Sequence, residues 1–345
     1  MDMLIGGNSN APDPPKQKSS SSTAVAVLDP EQESTQAVSA SDDEVWWKPE
    51  GACFTERAPL PEMNLTTEAR ALENMLISQF DGHDLSLPPL PRVPEAVLRK
   101  LRKRNCNLPE IAHDISEDQV SAASVLRMSN SPLYRGMNKI TSLEMAVVRL
   151  GSNAIKTLML HQAMRSATFE QGGANAKLAE MLSLRALAAA YVMRELAELT
   201  DLDVEEAFMI GLLHDIGNVM VLRTANGLKK LSRFEIDMES FEYLCQETHQ
   251  EFGELIANSW GLPDHIRDLV SSHHDYPEPN DPLFKERLLI ELTDMICSLL
   301  TFTPYQPYNI LESRAAKDLG FSERPEFGAL LERLPNDLED VLEFF

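Results

Sequence analysis

From residue 66 onward, apolar residues recur with the spacing of an α-helix along almost the whole chain, and no stretch alternates as a strand does. Glycine and proline punctuate these segments, for example at Gly151 and in the sequence QGGANA at residues 171–176. The pattern therefore predicts an all-α fold. Its second half is predicted to contain helices over residues 175–199, 203–222, 226–235, 238–259, 263–274 and 283–302.

Charge and composition exclude several classes of protein. The 345 residues carry a net charge of -23, whereas contacts with nucleic-acid phosphates or anionic membranes need clustered Lys and Arg. We therefore expect no general nucleic-acid binding. We also expect no membrane insertion, because no window has about 18 consecutive apolar residues. The first residues lack the pattern of a secretory signal, and the four cysteines are widely spaced. These features predict a cytoplasmic protein, and they leave its oligomeric state open.

The ends of the chain differ from its middle. Residues 1–62 hold 11 acidic and 4 basic residues and are rich in Ser, Pro and Gln, which predicts a disordered acidic tail. Within it, Trp46 and Trp47 suggest a docking motif, either for a partner or for the protein's own domain. Residues 301–345 are expected to form an acidic helical extension with two short helices. The basic segment 92–104 predicts an amphipathic helix that pairs with the chain's own acids or contacts a nucleotide or an acidic partner.

Several ionisable residues interrupt apolar segments of the second half. His and Asp stand side by side in GLLHDIGNVM, and an Asp lies within LLIELTDMICSLL. Buried ionisable groups need partners, so these side chains form either hydrogen-bonded core pairs or a site for a divalent metal ion that activates water. The candidate ligands are His214, Asp215, His249, His273, His274 and Asp294.

These motifs carry a resemblance to a known family. GLLHDIGN followed by Asp294 resembles the HD superfamily of metal-dependent phosphohydrolases. The segments LPPLPRVPEAVLRKL, VLRMSNSPLYRG and ITSLEMAVVRLG are similar to the HDOD domain, the HD-related output domain of bacterial signalling proteins. The resemblance implies a two-lobed helical bundle over residues 85–300, with an N-terminal lobe at 85–170 and an HD-like lobe at 175–300. It also implies a regulatory module regarded as non-catalytic.

The sequence departs from active members of the superfamily at two places. They carry a metal-binding histidine in the helix before the HD pair, but MLSLRALAAAYVMREL has none, and Leu182 stands near its expected place. Phosphodiesterases that cleave cyclic di-GMP carry HDIGK and a GYP segment, whereas Asn218 replaces the Lys here and no GYP occurs. The resemblance thus implies a relic site that retains at most a divalent metal ion and has no catalytic residues.

The leading hypothesis is a non-enzymatic signalling module that binds a protein partner such as a kinase, a cyclase or another regulator. Two alternatives stay open: a metal-dependent phosphohydrolase acting on nucleotides or cyclic dinucleotides, and a nucleotide sensor without turnover.

Overall fold

Helices make up most of the structure, a computed structural model that describes residues 45–49, 52–57, 63–80, 82, 85–103, 106–134, 136–169, 175–231 and 234–342. The only β pairing within these ranges is an isolated bridge between Phe54 and Tyr308, so the all-α prediction is confirmed. None of the helices described is both long and apolar enough to span a membrane. The helices are α1 (Thr67–Phe80), α2 (Arg92–Leu101), α3 (Leu108–Ser116), α4 (Gln119–Ser129), α5 (Leu143–Phe169), α6 (Ala176–Ala197), α7 (Val204–Leu213), α8 (Asn218–Leu231), α9 (Met238–Ser259), α10 (Asp264–Ser272), α11 (Phe284–Leu299), α12 (Arg314–Asp318) and α13 (Pro325–Leu342).

The N-terminal part of the fold places α2, α3 and α4 against α5. At the predicted break in α5, Gly151 has φ 72°, a left-handed conformation that glycine adopts without steric cost and that kinks the helix. The basic helix α2 pairs with acids of its own lobe: Arg92 Nη2 lies 2.9 Å from Glu117 Oε2, and Lys100 Nζ lies 2.7 Å from Asp114 Oδ2. These ion pairs favour the interpretation of α2 as a solvated face.

The second part packs α6 against α7 and α11, with α9 held between α8 and α10. At Gly211, α7 lies so close to α6 that a Cβ atom would be 2.6 Å from the carbonyl oxygen of Ala189. The two parts join where α5 contacts α7 and α8, and where Tyr134 Oη donates a hydrogen bond to Glu205 Oε2 at 2.7 Å. Helix α1, which precedes the predicted two-lobed region, packs on α8 and α9.

The helix predicted over residues 203–222 is interrupted at the HD pair, and the one predicted over 226–235 is helical only as far as Leu231, as the end of α8. Helix α7 begins as expected, because Asp203 Oδ1 accepts hydrogen bonds from the backbone N–H groups of Glu205 and Glu206 at 3.0 and 2.9 Å. It ends at Leu213, residues 214–217 form a turn, and α8 starts directly afterwards. The apolar period continues through the turn because both helices are buried, so periodicity alone could not locate the break.

The predicted disordered tail is wrong at residues 45–49 and 52–57, which form an N-terminal arm packed on the second part of the fold. Trp47 is only 9% exposed, and its carbonyl oxygen accepts a hydrogen bond from Ile310 N at 3.2 Å. Trp46 Nε1 donates to the carbonyl oxygen of Leu331, in α13, at 3.0 Å. Two adjacent tryptophans bury enough apolar area to order an otherwise polar segment. Residues 1–44, 50–51 and 58–62 of the predicted tail lie outside the described residues.

The predicted C-terminal extension holds one short helix, α12, and one long helix, since α13 has 18 residues. Helix α13 packs against α6 and supplies the carbonyl group that binds Trp46. The arm and the extension therefore hold each other on the same face of the fold.

Candidate metal centre

The turn between α7 and α8 carries the first two candidate ligands, His214 and Asp215. It lies directly on α9, because a Cβ atom at Gly217 would be 1.9 Å from the carbonyl oxygen of His249. A second glycine, Gly253, lets α10 approach α9 closely: its Cβ would lie 2.6 Å from a methyl carbon of Val270. Two glycines thus bring the HD turn, α9 and the end of α10 together.

Three histidines and one aspartate meet at this junction, and we call them the histidine group: Asp215, His249, His273 and His274. His249 Nε2 lies 3.2 Å from His273 Nε2 and 3.1 Å from His274 Nε2. Asp215 Oδ1 lies 3.3 Å from His249 Nε2 and 3.6 Å from His273 Nε2. Four potential ligand atoms therefore converge on one small space from three separate elements.

Backbone hydrogen bonds fix which nitrogen each ring turns toward that space. His249 Nδ1 lies 2.9 Å from the carbonyl oxygen of Cys245, and His273 Nδ1 lies 3.1 Å from that of Val270. A carbonyl oxygen only accepts, so each Nδ1 donates to it and each Nε2 is turned toward the other ligands. Burial lowers the pKa of His273 to about 4, against the opposing interaction with Asp215, so this ring is neutral at pH 7 and its Nε2 presents a lone pair.

His249 Nε2 lies 3.1–3.2 Å from the other two Nε2 atoms, a spacing held either by an N–H of one ring that donates to its neighbour or by a cation between the rings. Burial, followed by neighbouring charges that include that of Arg57, lowers the pKa of His274, so this ring is neutral. Imidazole nitrogens with a carboxylate oxygen are ligands that Zn²⁺ and related divalent ions prefer. The residues present therefore fit a divalent metal ion.

The remaining two predicted ligands form a second cluster, the Asp294 side, which consists of His214 and Asp294. His214 Nε2 lies 3.1 Å from Asp294 Oδ1, and its Nδ1 lies 2.8 Å from the carbonyl oxygen of Gly211. Burial alone would lower the pKa of His214, but the charges of Asp215 and Asp294 outweigh it and raise that pKa to about 9. His214 and Asp294 are therefore paired with each other, and together with His273 they also form a group of potential metal ligands.

The wall of α6 facing the Asp294 side has no metal-binding side chain. Leu182, Ala186 and Ala189 line the same small cavity as His214 and Asp294. Where active members of the superfamily carry a histidine ligand on this helix, apolar side chains of α6 therefore line the cavity here.

Four further charged residues line the site and were not predicted from the sequence: Arg57, Arg185, Glu242 and Glu291. Arg57 Nη1 lies 3.0 Å from Asp294 Oδ2, and Arg185 Nη1 lies 2.7 Å from Glu242 Oε2. Burial, reinforced by the charge of Asp294, raises the pKa of Glu291 to about 7. Glu291 had a usable signal, because it stands one helical turn before Asp294 in the same apolar helix. Arg57 had none, since it lies in a segment without apolar periodicity.

The cavity beside the two clusters is narrow and acidic. Its volume is about 120 Å³, which is smaller than the roughly 300–1,000 Å³ of pockets that enclose small ligands. It opens into an adjoining groove of about 500 Å³ at the surface, with which it shares Arg185, Glu242 and Gln306. Two arginines face four carboxylates along its lining, which comprises Arg57, Arg185, Asp215, Glu242, Glu291 and Asp294 among others.

Comparison with known proteins gives one family and several similar structures. The sequence model of the family described as HDOD domain matches residues 87–276. An uncharacterized protein from Treponema pallidum (strain Nichols) is 24% identical over 260 residues, which are 71% of this chain and 48% of the relative. The chain thus spans about half the length of that curated relative.

Solved structures share the fold at low sequence identity. An HDOD domain protein with unknown function from Geobacter sulfurreducens matches with TM-score 0.60 and 23% identity over 80% of this chain and 99% of that chain. A protein from Shewanella amazonensis SB2B, provisionally assigned as a metal-dependent phosphohydrolase, matches with TM-score 0.63 and 17% identity over 79% and 100%. A protein from Marinobacter aquaeolei VT8, provisionally assigned to signal transduction, matches with TM-score 0.58 and 18% identity over 82% and 66%.

Proposed function

Because the chain belongs to the HDOD domain family, we propose that it is a non-catalytic signal-transduction module whose histidine group holds a divalent metal ion. The observation that carries the non-catalytic part is the wall of α6, where Leu182, Ala186 and Ala189 face the Asp294 side. Active HD phosphohydrolases use a histidine of this helix as a ligand. Without it, a metal ion there has fewer protein ligands and less control over a bound water.

The charges of the cavity support the same conclusion. A phosphodiester substrate needs cations that are free to bind its oxygens. The two arginines of the lining are each paired with a carboxylate, Arg57 with Asp294 and Arg185 with Glu242. Two further carboxylates, Asp215 and Glu291, line the same cavity, so the arginines of the lining leave no unpaired positive charge for a phosphate.

The histidine group has a structural role in this proposal. A metal ion bound there would link the HD turn, α9 and the end of α10, and its binding free energy would add to the stability of the fold. Where a ligand position is left to water, such an ion also lowers the pKa of that water, which is the chemistry that hydrolases of the superfamily use.

The N-terminal part offers a surface for the protein partner. Met145 and Val148 lie three residues apart on α5, hence on one face of the helix, and are 58% and 66% exposed. Met137, in the loop before α5, is fully exposed. Adjacent exposed apolar side chains are typical of surfaces that bind other proteins. We propose that this face contacts a kinase, a cyclase or another regulator of the pathway.

A paired substitution on this face tests the partner. The double variant Met145→Asp/Val148→Asp is expected to lose, by more than about tenfold, the proteins that crosslink to the wild-type chain in its own cells. Its melting temperature should stay within a few degrees of wild type, because both side chains point to solvent. Quantitative crosslinking mass spectrometry measures the loss, and Val120→Asp, at an exposed residue of α4, is the matched control. Equal crosslinking of the double variant and the control would exclude this face.

Hydrolysis is the direct test of the non-catalytic part. With Mn²⁺ or Fe²⁺ and either cyclic di-GMP or bis(p-nitrophenyl) phosphate, we expect no turnover above that of the His214→Ala variant, because the Asp294 side lacks its ligand from α6. Chromatography or absorbance of the product measures turnover. Arg92→Ala, in the other lobe, is the control for effects of substitution and purification that do not involve the site.

The second candidate function is that of a metal-dependent phosphohydrolase, which the three adjacent histidines of the histidine group favour. One of the similar structures, that from Shewanella amazonensis, is provisionally assigned to that class. Wild-type turnover that falls by about tenfold or more in His214→Ala, but not in Arg92→Ala, would establish it and overturn the proposal.

A further inference from the structure

We propose that Arg57 of the N-terminal arm is an internal cation that fills the Asp294 side, so that the protein holds one metal ion and not two. This inference rests on the proposed function for the histidine group, and it adds what determines the number of ions. The positive charge of the Arg57 side chain would take the place of a metal ion beside Asp294. Arg57 is distant in sequence from every candidate ligand.

The two clusters differ in whether their polar atoms have partners. Both oxygens of Asp294 are engaged: Oδ1 lies 3.1 Å from His214 Nε2, and Oδ2 lies 3.0 Å from Arg57 Nη1. In the histidine group, by contrast, the neighbours of His249 Nε2 are two other imidazole nitrogens and Asp215 Oδ1. These atoms can all ligate a metal ion, whereas at Asp294 a guanidinium already supplies the positive charge.

The charge of Arg57 also acts on the carboxylates of this side. For Asp294, burial raises the pKa, but the hydrogen bond and charge of His214, followed by the charge of Arg57, reverse the direction. At Glu291 the charge of Arg57 opposes the burial that raises the pKa. A metal ion bound to Asp294 Oδ2 would lie beside this guanidinium, and the two positive charges would repel each other at contact distance.

The arm holds Arg57 in place by contacts that lie outside the site. Phe54 pairs with Tyr308 through a β-bridge, and its carbonyl oxygen accepts a hydrogen bond from Asn309 N at 3.0 Å. The carbonyl oxygen of Thr55 accepts from Arg314 N at 2.9 Å. Trp47 anchors the other end in the core. Residues immediately before Arg57 are therefore fixed on the segment that also lines the cavity through Pro304 and Gln306.

Linkage makes the arm and the second ion compete. If docking of the arm lowers the metal affinity of the Asp294 side by some factor, then a metal ion bound there lowers the docking equilibrium of the arm by the same factor. The arm would then be released by a high metal concentration, and its release would open a second position formed by His214, Asp215 and Asp294.

The test is metal stoichiometry with Mn²⁺ on the full chain, by mass spectrometry of the dialysed protein and by calorimetric titration. We expect one ion per chain for wild type and two for Arg57→Ala, and one for Arg57→Lys, which keeps the positive charge. Trp47→Ala leaves Arg57 intact but removes the anchor of the arm, and it should also bind a second ion. Arg92→Ala, at an exposed ion pair 2.9 Å long in the other lobe, is the matched control and should bind one.

The inference is overturned if Arg57→Ala binds no more Mn²⁺ than wild type, or if wild type binds a second ion as tightly as Arg57→Ala does. Failure of the proposed function has a different signature: His249→Ala would leave the first ion in place. The role of Arg57 is tested by the difference in Mn²⁺ stoichiometry between Arg57→Ala and wild type, so the result does not depend on whether the histidine group binds an ion. Tryptophan fluorescence gives a second readout, since Mn²⁺ at high concentration should expose Trp46 and Trp47 in wild type.

Discussion

Gly217→Ala is expected to lower the free energy of unfolding by about 3 kcal/mol or more, which is in the range of severe overpacking. The added Cβ would lie 1.9 Å from the carbonyl oxygen of His249 and 2.6 Å from its carbonyl carbon. Both atoms are backbone, so neither can rotate away, and the HD turn has to move off α9. Urea unfolding followed by circular dichroism measures the change.

Gly227→Ala is the matched control for that substitution. Gly227 lies in α8, where a new Cβ would have no neighbour within 4 Å. Alanine is the better helix former there, so we expect this variant to be as stable as wild type or more stable by up to about 1 kcal/mol. Equal stability of the two variants would show that the turn does not lie on α9 as described.

His249→Ala is expected to abolish metal-dependent stabilisation. His249 Nε2 is the atom nearest to the other ligands of the histidine group, so its loss should reduce Mn²⁺ affinity beyond the roughly 10–100-fold that the loss of an outer hydrogen-bond partner costs. At a metal concentration of 100 Kd, wild type should gain about 2.7 kcal/mol of stability, and the variant should gain almost none. Thermal unfolding with and without Mn²⁺ measures the difference.

His265→Ala is the matched control, because His265 Nε2 also contacts a carboxylate, Glu206 Oε1 at 2.7 Å, but lies outside both clusters. It should keep the full metal-dependent rise in melting temperature. The metal assignment fails if His249→Ala is stabilised by Mn²⁺ as much as His265→Ala is.

The site residues were predictable because their chemistry conflicts with their surroundings. His214 and Asp294 interrupt apolar segments, and His273 and His274 end a helix, so each was visible as a polar residue that needs a partner. The resemblance to the HDOD domain added their mutual proximity, and the family match over residues 87–276 confirms that resemblance. The absence of a ligand in α6 was predictable in the same way.

Features that depend on packing between distant segments were not predictable. The break at the HD turn follows from the contact between Gly217 and the backbone of His249, which lies 32 positions away in the chain. The arm was predicted as tail because its composition is polar, and only the fit of Trp47 into the core shows otherwise. Arg57 entered the site with the arm, so no pattern in the sequence pointed to it.

The arm changes the meaning of the acidic N-terminal region. The sequence offered the Trp46 and Trp47 motif as docking either to a partner or to the protein's own domain, and the structure shows contacts with α13 and Ile310. A partner that bound the two tryptophans would remove the arm and expose Asp294. Protein contacts and the metal centre are thereby linked through one segment.

An anomalous difference map from crystals grown with Mn²⁺, collected near the manganese absorption edge, locates the bound ions directly and so tests whether the histidine group holds the one metal ion. We expect one peak per chain, ligated by Nε2 of His249, His273 and His274 and by Asp215, with Arg57 still bound to Asp294. No peak at the histidine group would contradict the metal assignment, and a peak bonded to Asp294 would contradict the role of Arg57.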